Sequence, residues 1–368
     1  LPGKKCTGDN DCGSLICNDL ICRFASFQPE VTYAGNTGNL SQGLAVADFN
    51  NDGHPDVAMS NYSVAEASLF MGQAGGTFSA ATPVPLPNPG GMGPVAGDFN
   101  GDGKADLIVH AYGLGQSMVL FGNGVGGFMP AVMTPTWSGF AYNLGTGDLN
   151  GDGKLDLVCI NTKDQNGASA ALNNGNGTFT PQGLFPLTNA YSVAVGDLDN
   201  DGKADVAGAS VAQTSLSGST ITLTQRTTPV IGSGPVAIAD LNGDGKRDVL
   251  TVSNGLHVSL NQGAFNFSAE TNYTGPTTIT YGGIAVGDVN ADGRPDVVVA
   301  DNPPIGAAYI YIWLGRGNGA LGTPTSYAFQ EYCGAIGAAV VDLNGDGKSD
   351  VLVACQAGLL SVWISTSK

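Results

Sequence analysis

The sequence predicts an all-β fold: a seven-bladed β-propeller of four-stranded blades, with a small disulfide-rich segment at the N-terminus. Three observations carry that expectation. A nine-residue pattern, D-x-[ND]-x-D-G-x-x-D, occurs seven times with no insertion or deletion inside it. Its first aspartates are spaced by 50, 50, 49, 43, 48 and 54 residues, and such a period marks a repeat architecture rather than two or three unrelated domains. The 368-residue chain also carries 56 Gly and only 12% charged residues, which suits many short strands and turns rather than helices.

Residues 1–23 come first, as a separate segment. Cys6, Cys12, Cys17 and Cys22 lie there among Gly, Asn and Asp. With so few apolar neighbours the segment cannot build a core. A disulfide-stapled loop in an oxidising compartment is the reading. A zinc site is the rival, and the segment has no C-x₂-C pair to favour it. Three pairings of four cysteines are open. The run C-T-G-D-N-D-C-G-S-L-I-C-N-D-L-I-C resembles short cysteine-rich segments of secreted proteins, and that resemblance favours Cys6–Cys17 with Cys12–Cys22.

Residues 24–368 are expected to form the propeller. A strand of small apolar residues precedes each nine-residue motif, as in Gly43-Leu-Ala-Val-Ala47, Val193-Ala-Val-Gly196 and Gly283-Ile-Ala-Val-Gly287. A second apolar strand follows it, as in Asp106-Leu-Ile-Val-His110, Asp156-Leu-Val-Cys-Ile160 and Asp296-Val-Val-Val-Ala300. The motif thus joins two antiparallel strands, and their near-continuous apolar character predicts burial on both faces. The Ala and Gly of the first strand predict close packing where sheets converge on an axis. A third strand comes next, for example Ser68-Leu-Phe-Met71, Met118-Val-Leu-Phe121, His257-Val-Ser-Leu260 and Tyr309-Ile-Tyr-Ile-Trp313. A Gly/Asn turn then leads to an aromatic (Phe78, Phe128, Phe179) and an irregular, Pro-containing fourth strand. The fourth unit departs from this: Ser215–Thr228 is Ser/Thr-rich and lacks the Gly-x-Phe turn. Four strands in each of seven units make a propeller.

The last unit ends after its third strand, Leu360-Ser-Val-Trp-Ile364. Phe27-Gln-Pro29 repeats the pattern of Phe179-Thr-Pro181 and Phe128-Met-Pro130, so the N-terminal segment is expected to supply the missing outer strand. Closing the ring hides sheet edges that invite aggregation. Of the other cysteines, Cys333 and Cys355 are a candidate bridge within the seventh blade, and Cys159 reads as a small buried hydrophobe.

The nine-residue motif has a chemical reason. Oxygens at positions 1, 3 and 5 of a tight loop converge on one cation, as in the first half of an EF-hand loop. Glycine at position 6 allows a sharp turn, position 7 adds its backbone carbonyl, and aspartate at position 9 closes the cage. The candidate ligands are Asp48, Asn50, Asp52, His54 and Asp56 in the first copy, and Asp98, Asn100, Asp102, Lys104 and Asp106 in the second. The third offers Asp148, Asn150, Asp152, Lys154 and Asp156, and the fourth Asp197, Asp199, Asp201, Lys203 and Asp205. The fifth offers Asp240, Asn242, Asp244, Lys246 and Asp248. The sixth offers Asp288, Asn290, Asp292, Arg294 and Asp296, and the seventh Asp342, Asn344, Asp346, Lys348 and Asp350. His, Lys and Arg stand at position 7 and enter only through the carbonyl. These hard oxygen donors fit Ca²⁺ better than Mg²⁺, giving about seven calcium sites. The alternative is seven turns that bind nothing, but a mere turn does not require aspartate at positions 1, 5 and 9 every time.

Most of the 31 acidic residues fall in these motifs, so the net charge of −17 reads as cation sites rather than as a signal for a basic partner. Only 14 Lys+Arg are present, half of them inside the motifs, which argues against nucleic acid. There is no run of eighteen apolar residues, hence no expected membrane span. The start at Leu1 without Met is what a processed secreted protein shows.

The unit D-F-N-G-D-G-K-x-D, then an apolar strand, then G-N-G-x-G-x-F, resembles the FG-GAP/VCBS repeat family over about residues 24–368. That resemblance implies the seven-bladed, calcium-binding propeller of integrin α-subunits, certain fungal and bacterial lectins and many bacterial surface proteins. In integrins only some blades carry the loop, whereas here all seven do.

Three functions are weighed. The first is a secreted or cell-surface module that binds glycans or extracellular proteins multivalently, since a propeller offers several similar clefts and long loops on one face. Aromatics outside the repeat pattern, Trp137, Phe140, Tyr142, Tyr191, Tyr281 and Tyr332, are its candidate contacts, and ordinary packing is their other role. Second is a self-associating subunit of an extracellular layer or filament. Third is a polysaccharide-active enzyme, against which the four glutamates (Glu30, Glu66, Glu270, Glu331) and three histidines (His54, His110, His257) lie scattered over different repeats, so no enzyme is expected. Asn39, Asn61, Asn176, Asn266 and Asn272 begin N-x-[ST] sequons.

Overall fold

A computed structural model describes residues 16–18, 21–23, 25–35, 41–136, 141–161, 167–185, 187, 191–226, 234–275, 279, 282–303, 307–331 and 333–367. Among them every regular element is a strand. Seven four-stranded antiparallel sheets follow one another along the chain. In blade one the strands are Ser41–Ala47, Asp56–Asn61, Glu66–Phe70 and Thr82–Pro85, in spatial order as in sequence. Blades two to six repeat this order, from the inner strands Gly91–Gly97, Ala141–Gly147, Ala194–Gly196, Val236–Ala239 and Gly283–Gly287 outward. In blade seven, Ala335–Val341, Asp350–Cys355 and Leu359–Trp363 are completed by Val31–Ala34, which pairs antiparallel with the last of them (Val31 opposite Val362, Ala34 opposite Leu359). The Phe27–Ser365 bridge occupies the place that Gly122–Phe128 and Gly315–Leu321 hold in blades two and six.

The ring closes through its core. Each buried apolar cluster lies between two neighbouring blades, and one of them joins Val57, Met59 and Phe70 of blade one to Leu343, Leu352 and Leu360 of blade seven. Inner strands touch in sequence around the axis, and the seventh meets the first.

Second strands are buried along their whole length, as their apolar runs demand. The inner strands are not. Residues such as Val95, Ala96, Ala338 and Ala339 remain half-buried, so the expectation of burial on both faces is corrected: seven inner strands around one axis leave a channel, and one edge of each faces it. Small residues set how closely neighbouring strands approach. A Cβ on Gly147 would stand 2.6 Å from Val195 Cγ1, and one on Gly287 2.5 Å from Val340 Cγ1.

Blade four replaces the Gly-x-Phe turn by a long hairpin, Val211–Ser217 with Thr220–Arg226. Cys333 and Cys355 form a disulfide in blade seven, and Cys159 is free and fully buried, its thiol pushed up by desolvation. Cys17 and Cys22 face each other across a short hairpin, Ile16–Asn18 with Ile21–Arg23. Cys6 and Cys12, and with them the pairing expected for residues 1–23, lie outside the described residues.

Candidate functional site

All seven motifs occupy the same place. Position 1 directly follows the inner strand, and position 9 is the first residue of the second strand in every blade. Blade three shows how the loop is built. Asp148 Oδ1 accepts the N–H groups of Gly151 (2.7 Å) and Asp152 (3.1 Å), and its Oδ2 accepts Gly153 N–H at 2.7 Å. Asn150 Oδ1 accepts Asp152 N–H at 2.9 Å, and Asp152 Oδ1 accepts Lys154 N–H at 3.0 Å. Side-chain oxygens at positions 1, 3 and 5 are thereby turned inward over one tight turn. The same bonds recur in the other blades, for example from Asp52, Gly53 and His54 onto Asp48, Asn50 and Asp52. Position 6 has φ between 78° and 86° in all seven loops (Gly53, Gly103, Gly153, Gly202, Gly245, Gly293, Gly347), and an added Cβ there meets nothing within 4 Å. Backbone conformation, not crowding, therefore demands glycine.

Position 9 differs from the rest. Asp156 is fully buried; its Oδ2 accepts Leu149 N–H at 2.9 Å and its Oδ1 accepts Asn173 N–H at 2.7 Å. Each of the other position-9 aspartates does the same, the second donor coming from the exit of the third strand at Gly72, Gly122, Asn261, Gly315 and Ser365 and from within that strand at Thr214. Desolvation pushes the carboxyls of Asp56, Asp156, Asp248 and Asp350 up to about 6, Asp205 to about 7 and Asp296 to about 8, while the two N–H donors pull the other way. Near the surface the sign reverses. The N–H of His54 holds Asp52 below the usual carboxylate range, and the Lys246 ammonium does so for Asp244.

Blade four gathers its acids most tightly: carboxylate oxygens of Asp197, Asp199 and Asp205 all lie within 4.8 Å of one another. Asp199 replaces the asparagine of the other loops. Its Oδ2 accepts Gln213 Nε2 at 2.6 Å, Arg226 bonds that glutamine, and the Arg226 guanidinium lies 5.3 Å from the centre of the Phe265 ring in blade five.

Two features were not among the expected site residues. Position 2 (Phe49, Phe99, Leu149, Leu198, Leu241, Val289, Leu343) is a buried apolar plug in every loop, a signal present in the sequence as D-[FLV]. The third-strand exits described above carry no such signal, because the group they contribute is a backbone N–H.

The scattered histidines stay apart. His54 lies in the first loop and His110 is buried in blade two; His257 of blade five has Nδ1 2.7 Å from Glu270 Oε1. Among the aromatic candidates, Tyr191 is exposed. Tyr142 falls within the inner strand of blade three. Trp137, Phe140, Tyr281 and Tyr332 lie outside the described residues.

Seven blades each closed by an Asp-rich loop define a repeat propeller, and the chain belongs to the FG-GAP-like repeat family, which matches residues 48–109, 148–208, 240–299 and 288–353. No curated protein matches it by sequence. Among solved structures it is similar to the BP39L lectin from Burkholderia pseudomallei, at 14% identity and a TM-score of 0.68, covering 89% of this chain and 96% of that one. A mutant of AofleA from Arthrobotrys oligospora matches at 13% identity and a TM-score of 0.50, covering 82% and 90%. An Agrocybe aegerita lectin that recognises non-reducing terminal N-acetylglucosamine matches at 20% identity and a TM-score of 0.42, covering 88% and 78%.

Proposed function

We propose that the chain is a secreted or cell-surface propeller that binds glycans or extracellular proteins multivalently, with Ca²⁺ in its loops acting chiefly as a structural ion. The observation that carries the binding role is the repetition of one blade around a closed ring whose fold matches the BP39L lectin over 96% of that lectin's length. Repeated blades present similar clefts at fixed spacing, the arrangement in which several weak contacts combine into strong attachment. The Cys333–Cys355 disulfide supports an oxidising compartment. No helix among the described residues is long and apolar enough to cross a membrane.

The donor chemistry supports calcium. Carboxylate and amide oxygens at positions 1, 3 and 5 share one turn, and blade four brings three carboxylates together. In each loop the side chains of positions 1, 3, 5 and 9 and the carbonyl of position 7 would hold the ion. When bound, it cancels repulsion between acids held a few ångströms apart.

A glycan array probed with the purified protein, in parallel with Ca²⁺ and with EDTA, tests this reading. Selective binding that disappears in EDTA is the expected outcome. No binding by folded, calcium-loaded protein would overturn the glycan reading and turn attention to protein ligands and assembly.

A further inference from the structure

The axis holds a pocket that the loops do not explain. A cavity of about 510 Å³ sits where the N-terminal ends of the inner strands converge, and all seven blades contribute to its wall. Apart from Asn302, which follows the second strand of blade six, its residues precede the Asp-rich loops by four to seven positions along the chain, roughly 13–23 Å when extended, so pocket and loops stand at opposite ends of the channel. The volume falls in the range of small-molecule sites.

The wall breaks the sevenfold repeat. Leu44, Met92, Ile284 and Ile336 give blades one, two, six and seven an apolar side. Asn143, Tyr191 and Ser192 of blades three and four, with Asn302 of blade six, supply amides and hydroxyls. Among the described residues, none of these four polar side chains spends a hydrogen bond on the protein. Inner strands also bulge at this end, between Ser41 and Leu44, Met92 and Val95, Ala141 and Leu144, and Ala335 and Gly337. Bulges take backbone N–H and C=O groups out of the ladder, and the bulge residues Gly43, Gly93, Asn143 and Ile336 line the cavity. Among the described residues, no Asp, Glu, Lys, Arg or His lines it.

We propose that this axial pocket binds one uncharged sugar ring per chain, at a site separate from the clefts between blades. The proposal rests on the glycan-binding reading and names the place, the stoichiometry and the charge class. Its described wall carries no ionised group, and in a chain of net charge −17 it offers nothing to pair with a carboxylate or sulfate. Asparagine amides both donate and accept, which matches hydroxyls that do both. Aliphatic residues suit the C–H face of the ring, and Tyr191, 65% exposed, offers an aromatic surface at the rim. Because the polar side chains that line the pocket come from blades three, four and six alone, one ligand orientation is selected and the site is single.

Titration calorimetry of the calcium-loaded full chain tests this. Probes are glucose, galactose, mannose, fucose, N-acetylglucosamine and N-acetylgalactosamine, with N-acetylneuraminic acid as the charged comparator. One neutral sugar should bind at one site per chain, and Asn143→Ala combined with Asn302→Ala should weaken it about tenfold while leaving the melting temperature unchanged. N-acetylneuraminic acid should not compete. Several equivalent sites, or one site indifferent to both substitutions, would overturn the axial assignment while leaving the glycan-binding reading intact. Absence of sugar binding in both the calorimeter and the array would remove that reading and this proposal together. Binding of an uncharged aromatic peptide in place of every sugar, abolished by the same substitutions, would overturn the sugar assignment.

Discussion

Position 4 of each loop takes the left-handed backbone, and six of the seven copies use a residue that tolerates it. Gly101, Gly151, Gly243 and Gly345 have φ of 73–79°, and Asn51 and Asn200 have 57° and 62°. Ala291 stands in the same conformation at φ 53°. An alanine there carries about 1–2 kcal/mol of strain that glycine lacks, partly offset by the greater freedom of glycine in the unfolded chain. Ala291→Gly should therefore stabilise the protein by roughly 0.5–1 kcal/mol, read as a shift in the denaturant midpoint. His110 gives the pH counterpart. It is fully buried, and desolvation lowers its pKa from 6.5 to about 4. Below pH 6.5 the unfolded chain takes up a proton that the folded chain refuses, so stability is complete above 6.5 and is lost as pH falls toward 4. At about 1.4 kcal/mol per pH unit the loss reaches roughly 3 kcal/mol. Denaturation of the wild type and of His110→Gln across that range should show the steeper acid loss only in the wild type.

Within the loop, positions 5 and 9 divide two tasks that a regular Asp pattern merges. Asp152 is part-exposed; it accepts one N–H and meets Lys154 Nζ at 2.6 Å, a surface pair that contributes little. Asp156 holds the loop to the third-strand exit through two buried N–H donors. In EDTA, Asp156→Asn should cost about 1–3 kcal/mol, because the amide leaves one buried N–H without an acceptor, while Asp152→Asn should change stability by less than about 0.5 kcal/mol. In Ca²⁺ both should destabilise. Equal effects of the two substitutions in EDTA would show that position 9 is no strut. The aspartates were legible in the sequence because side chains that converge on one turn must recur at fixed spacing, and the blades were legible because strands and turns alternate with that same period. The donors from Gly72, Asn173 and Ser365 were not, since a backbone N–H is compatible with any residue but proline. Nor was the half-burial of the inner strands: the small residues that let them approach also leave an open channel, and Ala or Gly reads the same in either setting. Asn143 was silent for a further reason, as it departs from the repeat instead of obeying it.

At the scale of the ring, the loops are also the seams. Asn173 Nδ2 donates to Phe99 O of the preceding blade (3.0 Å), Asn261 Nδ2 to Leu198 O (2.7 Å) and Ser365 Oγ to Val289 O (2.7 Å), and each acceptor is position 2 of a loop. Ala204 N–H donates to Asp148 O and Ser349 N–H to Asp288 O, again from one blade to the loop before it. A loop whose acids repel one another loosens its own turn and the junction with its neighbour. Because Val31–Ala34 closes blade seven, no free end exists from which the ring could open blade by blade. Extracellular calcium modules bind at about 10⁻⁴–10⁻³ M; on the proposed calcium role, a Kd of about 0.1 mM with Ca²⁺ near 1 mM would stabilise each loop by about 1.4 kcal/mol and seven by about 10 kcal/mol. That equals the whole stability of an ordinary domain. Scanning calorimetry in excess EDTA should thus show one cooperative transition lowered by roughly 10–15 °C relative to Ca²⁺, with Mg²⁺ restoring little of it. A melting curve unchanged by EDTA would mean that the aspartates shape turns and nothing more.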